Sequence, residues 1–153
     1  MKGNRNAELV ARSLIAAMFV LAILTWPSAP DRIPIHWNIA GQINGYGSKV
    51  VGLFLLPLLA LAGYALIGLG PTTKPEQFDE RTRSALSWFR LAYVLLMAGV
   101  FGVVVADARG SNVNMNYIVF PLVALMWIAI ANLLVRSAQA RAARTTPSGG
   151  IQI

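Results

Sequence analysis

The 153-residue chain is 56% hydrophobic and only 12% charged, against roughly 45–50% and about 25% in a typical soluble domain. Its 13 basic and 6 acidic residues are too few to cover a water-facing surface, and they cluster between apolar blocks. In a soluble protein a net charge of +7 would point to nucleic acid; here the basic residues flank apolar spans, so the excess is a topology signal and no nucleic-acid partner is expected. The absence of cysteine excludes disulfide frameworks, redox pairs and thiolate metal sites.

A helix that crosses about 30 Å of hydrocarbon needs about 20 mostly apolar residues. The first segment to meet that requirement is 9–26. Reading it as a cleaved signal peptide is disfavoured, because Pro27 and Pro30 flank the candidate cleavage site at Ser28-Ala29. Arg12 lies within about two turns of its end, close enough for the side chain to snorkel to the headgroups.

The loop that follows alternates strictly from Arg32 to Ile39. Ile33, Ile35, Trp37 and Ile39 are expected on one face of an extended segment, and Arg32, Pro34, His36 and Asn38 on the other. Pro34 confines that segment to an edge strand or an isolated extended piece. Asn44-Gly45 reads as the tight turn that reverses the chain, and Ser48 is placed to cap the next helix.

The second span, 50–69, and the fourth, 117–135, hold no charge. Between the second and the third, 85–106, Pro75 can occupy a first-turn position, so the third helix is expected to begin near Pro75 with Glu76, Asp79 and Glu80 complementing its dipole. Asp79 and Arg83 are spaced for an i,i+4 pair, and Arg90 is expected to snorkel as Arg12 does. Ala98, Gly102 and Ala106 recur every four residues and predict a close helix contact. Pro57 and Pro121 lie inside spans, where neighbouring helices can satisfy the carbonyls they release. Asn132 is expected to hydrogen-bond to a neighbouring helix.

Ten basic residues (Lys2, Arg5, Arg12, Lys74, Arg81, Arg83, Arg90, Arg136, Arg141, Arg144) fall on one side of this arrangement and three (Arg32, Lys49, Arg109) on the other. The bias assigns both termini and the loop around Lys74 to the cytoplasm. The expected fold is therefore an all-α membrane protein with four transmembrane helices, N-in and C-in, and a short extended hairpin-like outer loop between helices 1 and 2. Residues 1–136 form one four-helix domain, and 137–153 form a mobile cytoplasmic tail.

The run Ala29-Pro30-Asp31-Arg32-Ile33-Pro34-Ile35-His36-Trp37-Asn38, followed by Gly41 and by Gly45-Tyr46-Gly47-Ser48-Lys49 at the head of an apolar helix, resembles the domain of unknown function 1648. The resemblance covers about 21–69. That domain opens SdpI-type membrane proteins, some of which confer immunity to secreted toxic peptides in bacteria. The resemblance implies a bacterial cytoplasmic membrane and a non-enzymatic binding, immunity or signalling role with the outer loop as its recognition surface. The Gly/Arg/Pro/Trp-containing segment that SdpI-type proteins carry further on has no counterpart after Asn132.

The candidate recognition residues are Asp31, Arg32, Pro34, His36, Trp37, Asn38, Gly41, Tyr46 and Lys49. Arg32 and Lys49 would attract an acidic group, and Trp37 or Tyr46 would stack. A metal-dependent enzyme centred on His36 is one alternative, for which His36, Asp31 and Asp107 supply a bare minimum of ligands. A small channel or transporter subunit, assembled from several copies, is the other, although no carboxylate lies mid-span to relay protons. No phosphate-cradling or dinucleotide-binding glycine motif occurs, and no cofactor or catalytic residue is assigned. The expected partners are the bilayer, an extracytoplasmic peptide or another membrane protein, with self-association left open.

Overall fold

A computed structural model describes residues 4–73, 78–111 and 113–145 of the chain. Helix α1 runs Arg5–Thr25, strands β1 and β2 run Arg32–Trp37 and Ile43–Ser48, and helices α2, α3 and α4 run Lys49–Thr73, Glu80–Ala108 and Met115–Thr145. Among the described residues these four helices are long and apolar enough to cross a membrane. The apolar blocks read from the sequence are thus the helix interiors, and each helix overruns its block into more polar flanks.

The helix starts follow local chemistry. Asn4 caps α1 by accepting from the Ala7 N–H. Asp79 does the same for α3 by accepting from Thr82 N–H at 2.8 Å, so the helix opens at Glu80 and not near Pro75. Pro75 and Glu76 lie outside the described residues. Ser48 Oγ accepts from Val51 N–H at 3.4 Å, the cap expected for α2. Helix α4 continues through Ser137 to Thr145, because the Ala, Gln and Arg residues of that stretch are strong helix formers. The mobile tail expected from 137 is therefore helical at its start, and the residues after 145 lie outside the described set.

Helix α3 is the central element. It packs against α1, α2 and α4, whereas α4 rests on α3. The core joins Ala7, Ala11, Ile15, Met18 and Ala22 of α1 to Leu53, Ala60 and Tyr64 of α2 and Leu91, Val94, Phe101 and Val104 of α3. Ala7 and Ala11 of α1 stand four residues apart and are both buried, a small pair that lets a neighbouring helix approach closely.

The close α3–α4 contact is displaced by three residues from the one read in sequence. Gly102 is exposed, with open space where a Cβ would stand. Gly99 instead accepts Leu122 and Ile118 of α4 against its bare backbone. On the α2–α3 side Gly63 plays the same part, since the Tyr93 phenol lies over it and donates to the Leu59 carbonyl at 2.7 Å. The side chain reaches a helix carbonyl only because position 63 carries no Cβ.

Strands β1 and β2 form an antiparallel pair at the end of the bundle where α1 and α3 finish and α2 and α4 begin. The pairing runs from Arg32 opposite Ser48 to Trp37 opposite Ile43, with irregularities on either side of His36. Those bulges break the expected alternation. Ile33 and Pro34 are both buried, and Ile35 and His36 are both exposed. The turn also lies elsewhere: Asn44-Gly45 is inside β2, and the chain reverses over Asn38–Gln42. Asn38 Oδ1 accepts from the N–H groups of both Ala40 and Gln42, at 3.0 and 2.9 Å. Gly41 adopts φ +78°, a left-handed conformation that a side chain would disfavour.

Candidate functional site

The hairpin is docked on the bundle by its buried side. Ile33 is fully buried and lies against Gly52 of α2, where an added Cβ would come within 2.7 Å of the isoleucine Cβ. Trp37 turns toward α3, its indole N–H donating to Asp107 Oδ2 at 3.3 Å. The other oxygen of Asp107 accepts from Val113 N–H at 3.0 Å, which holds the short connection into α4. Asn116 of α4 donates its amide to the Ile39 carbonyl at 3.0 Å. All three later helices therefore contact the hairpin: α2 through Gly52, α3 through Asp107 and α4 through Asn116.

The nine recognition candidates all lie on this hairpin and its flanks. Asp31, Arg32 and Lys49 share its base, where the Asp31 carbonyl accepts from Lys49 N–H at 3.0 Å and Arg32 stands opposite Ser48. Lys49 is half-buried, with its ammonium 5.1 Å from the Trp26 ring centre; this cation–π contact holds it close to the bundle. Pro34 stands opposite Tyr46. His36 is exposed and hydrogen-bonds through Nδ1 to the Asn44 side-chain oxygen. Asn38 and Gly41 form the turn. The exposed side presents Arg32, Ile35, His36 and Tyr46, and the tip residue Ile39 is 94% exposed. Trp37 is half-buried and engaged, so it serves as an anchor and is not free to stack.

Asp107 is committed to Trp37 and Val113, and Asp31 is at the strand base. The described residues contain no group of three or more His, Asp or Glu side chains able to hold a metal ion, so His36, Asp31 and Asp107 do not converge. Nearby, Arg109 donates to Thr25 Oγ1 at 2.9 Å and ties the end of α3 to the end of α1.

At the opposite end of the bundle lies a polar cluster that the sequence does not announce. Arg90 of α3 meets Glu8 of α1 at 3.0 Å, and its guanidinium stacks 3.6 Å over the Tyr64 ring of α2. The Tyr64 hydroxyl donates to Glu8 and accepts from Arg12 Nε at 2.7 Å. Arg90 therefore turns inward to a partner and does not snorkel, because α1 supplies a carboxylate that removes the reason to reach the headgroups. The one visible signal is Glu8 itself, an acid four residues before Arg12 at the head of an apolar span.

Residues 13–61 match the family model described as domain of unknown function (DUF1648). The matched region begins earlier in α1 and ends earlier in α2 than the 21–69 resemblance, and it takes in the whole hairpin. The chain is also similar to the uncharacterized membrane protein YbgB of Bacillus subtilis (strain 168), at 33% identity over 54 residues. That alignment covers 35% of this chain and 58% of the relative. No solved structure matches the chain. The chain is a multi-pass membrane protein that carries the domain of unknown function 1648 in residues 13–61.

Proposed function

We propose that the chain is a non-enzymatic binding component of the bacterial cytoplasmic membrane. Both termini face the cytoplasm, and the hairpin recognises an extracytoplasmic peptide or membrane protein in an immunity or signalling role. The observation that carries this reading is the division of labour within the hairpin. Ile33, Pro34 and Trp37 are spent on docking, while Arg32, Ile35, His36, Ile39 and Tyr46 remain exposed on a preformed platform. A rigid surface that mixes aliphatic, aromatic and cationic groups suits a peptide with apolar and acidic side chains, because little ordering entropy opposes its binding.

In bacteria that carry the chain and are challenged with secreted peptide toxins, Arg32→Ala and His36→Ala should leave the amount of protein in the membrane unchanged. Survival should fall to that of cells lacking the chain. Both side chains are exposed, so the substitutions test recognition and not folding. Full protection in both variants would contradict the reading.

A further inference from the structure

We infer that the groove between α3 and α4, at the end of the bundle away from the hairpin, binds one anionic phospholipid. Its phosphate would lie between Arg81 and Arg136, and an acyl chain would run along the apolar floor. This site is separate from the hairpin and independent of its role.

Two polarity gradients define the groove. On α3, residues Arg81, Ser84, Trp88, Leu91 and Leu95 pass from cationic to apolar toward the middle of the helix. On α4, which runs the other way, Arg136, Asn132, Ile128 and Leu125 make the same passage in reverse order of sequence. Because the helices are antiparallel, the rungs match. A cavity of about 540 Å³ at the basic end, lined by Arg81, Ser84, Trp88, Asn132 and Arg136, meets a second of about 330 Å³ lined by Leu91, Leu95, Leu125 and Ile128. Trp88 and Asn132 line both, so the two are one amphipathic groove, and Arg81 to Leu95 spans about 20 Å of helix rise.

Two features favour a lipid over bare packing. The Asn132 side chain, expected to bond to a neighbouring helix, makes no hydrogen bond among the described residues, although it is half-buried at the junction. An amide at membrane depth needs a partner, and a glycerol ester or phosphate oxygen supplies one. Arg81 and Arg136 are both exposed and no carboxylate lines the groove. Asp79 caps its own helix. Basic pockets between transmembrane helices hold anionic headgroups in this way. A second copy of the chain is the poorer occupant, because apposing this face on itself would bring four guanidiniums together.

The test uses the full chain in detergent micelles titrated with dioleoyl phosphatidylglycerol or phosphatidylcholine carrying brominated acyl chains, which quench nearby tryptophan. The Trp88 component is isolated as the signal lost in Trp88→Phe. Phosphatidylglycerol should quench it at a mole fraction about 25-fold lower than phosphatidylcholine does, about fivefold for each of the two arginines. Arg81→Gln and Arg136→Gln should each weaken that preference about fivefold, from the typical contribution of one basic residue near anionic lipid, and together they should abolish it. Asn132→Leu should weaken binding of both lipids. Equal quenching by the two lipids would overturn the proposal, as would a preference that survives the double variant. So would displacement of the lipid by millimolar inorganic phosphate, which would make this a free-anion site. Exclusion of both lipids from Trp88 by a second copy would overturn it too.

Discussion

Glu8→Ala should destabilise the protein by about 3 kcal/mol or more, the cost of leaving one partner of a buried ion pair without its counter-charge. Glu8 and Arg90 are each about five-sixths buried, at 16% and 15% side-chain exposure. Removing the carboxylate strands the Arg90 guanidinium between three helices and takes from Tyr64 the acceptor of its hydroxyl proton. Arg90 Nε already lacks a partner, so nothing within reach compensates. Glu8→Gln, which keeps an acceptor and loses only the charge, should cost less. Glu8→Leu combined with Arg90→Met should recover most of the loss, because the pair as a whole contributes little beyond its own desolvation. Thermal unfolding in detergent, followed by tryptophan fluorescence, orders the variants. Equal stability of Glu8→Ala and the parent would show that the cluster does not hold the three helices together.

Gly52→Val should lift the hairpin from the bundle while the four helices stay inserted. A Cβ at this position would stand 2.7 Å from both Cβ and Cγ2 of Ile33. Ile33 cannot yield, because it is fully buried and its backbone is paired opposite Gly47. Overpacking of this kind costs typically ~1–3 kcal/mol, and here the strain is released most easily by undocking two short strands. In proteoliposomes trypsin should then cut after Arg32 much faster than in the parent, and any hairpin-dependent response should be lost. Unchanged resistance at Arg32 would mean that the hairpin does not rest on α2 as described.

These two sites also mark what the sequence discloses and what it hides. The spans are legible because a run of about 20 apolar residues is hard to place anywhere but in hydrocarbon. The hairpin is legible as extended chain from the alternation around Pro34. Its turn is not, because Asn44-Gly45 is a strong local signal, whereas the reversal depends on one side chain, Asn38, satisfying two backbone donors. The docked side is hidden for a related reason: the strand is irregular on either side of His36, and burial falls on the adjacent pair Ile33 and Pro34 and not on alternate residues. Gly99 and Gly102 are alike as letters, and only the rotation of α4 about α3 decides which is covered. The Glu8 cluster is invisible as a unit because its partners are 56 and 82 residues away.

Four membrane crossings that leave the hairpin outside, and both helix ends opposite it inside, underlie every role proposed for the chain. Since the chain has no cysteine, single substitutions Asn6→Cys, Ile39→Cys and Ser137→Cys report sidedness without background. In intact cells a membrane-impermeant maleimide should label the thiol at position 39 alone, and positions 6 and 137 only after permeabilisation. Labelling of position 6 or 137 in intact cells, or protection of position 39, would contradict the topology and with it the proposed role of the hairpin.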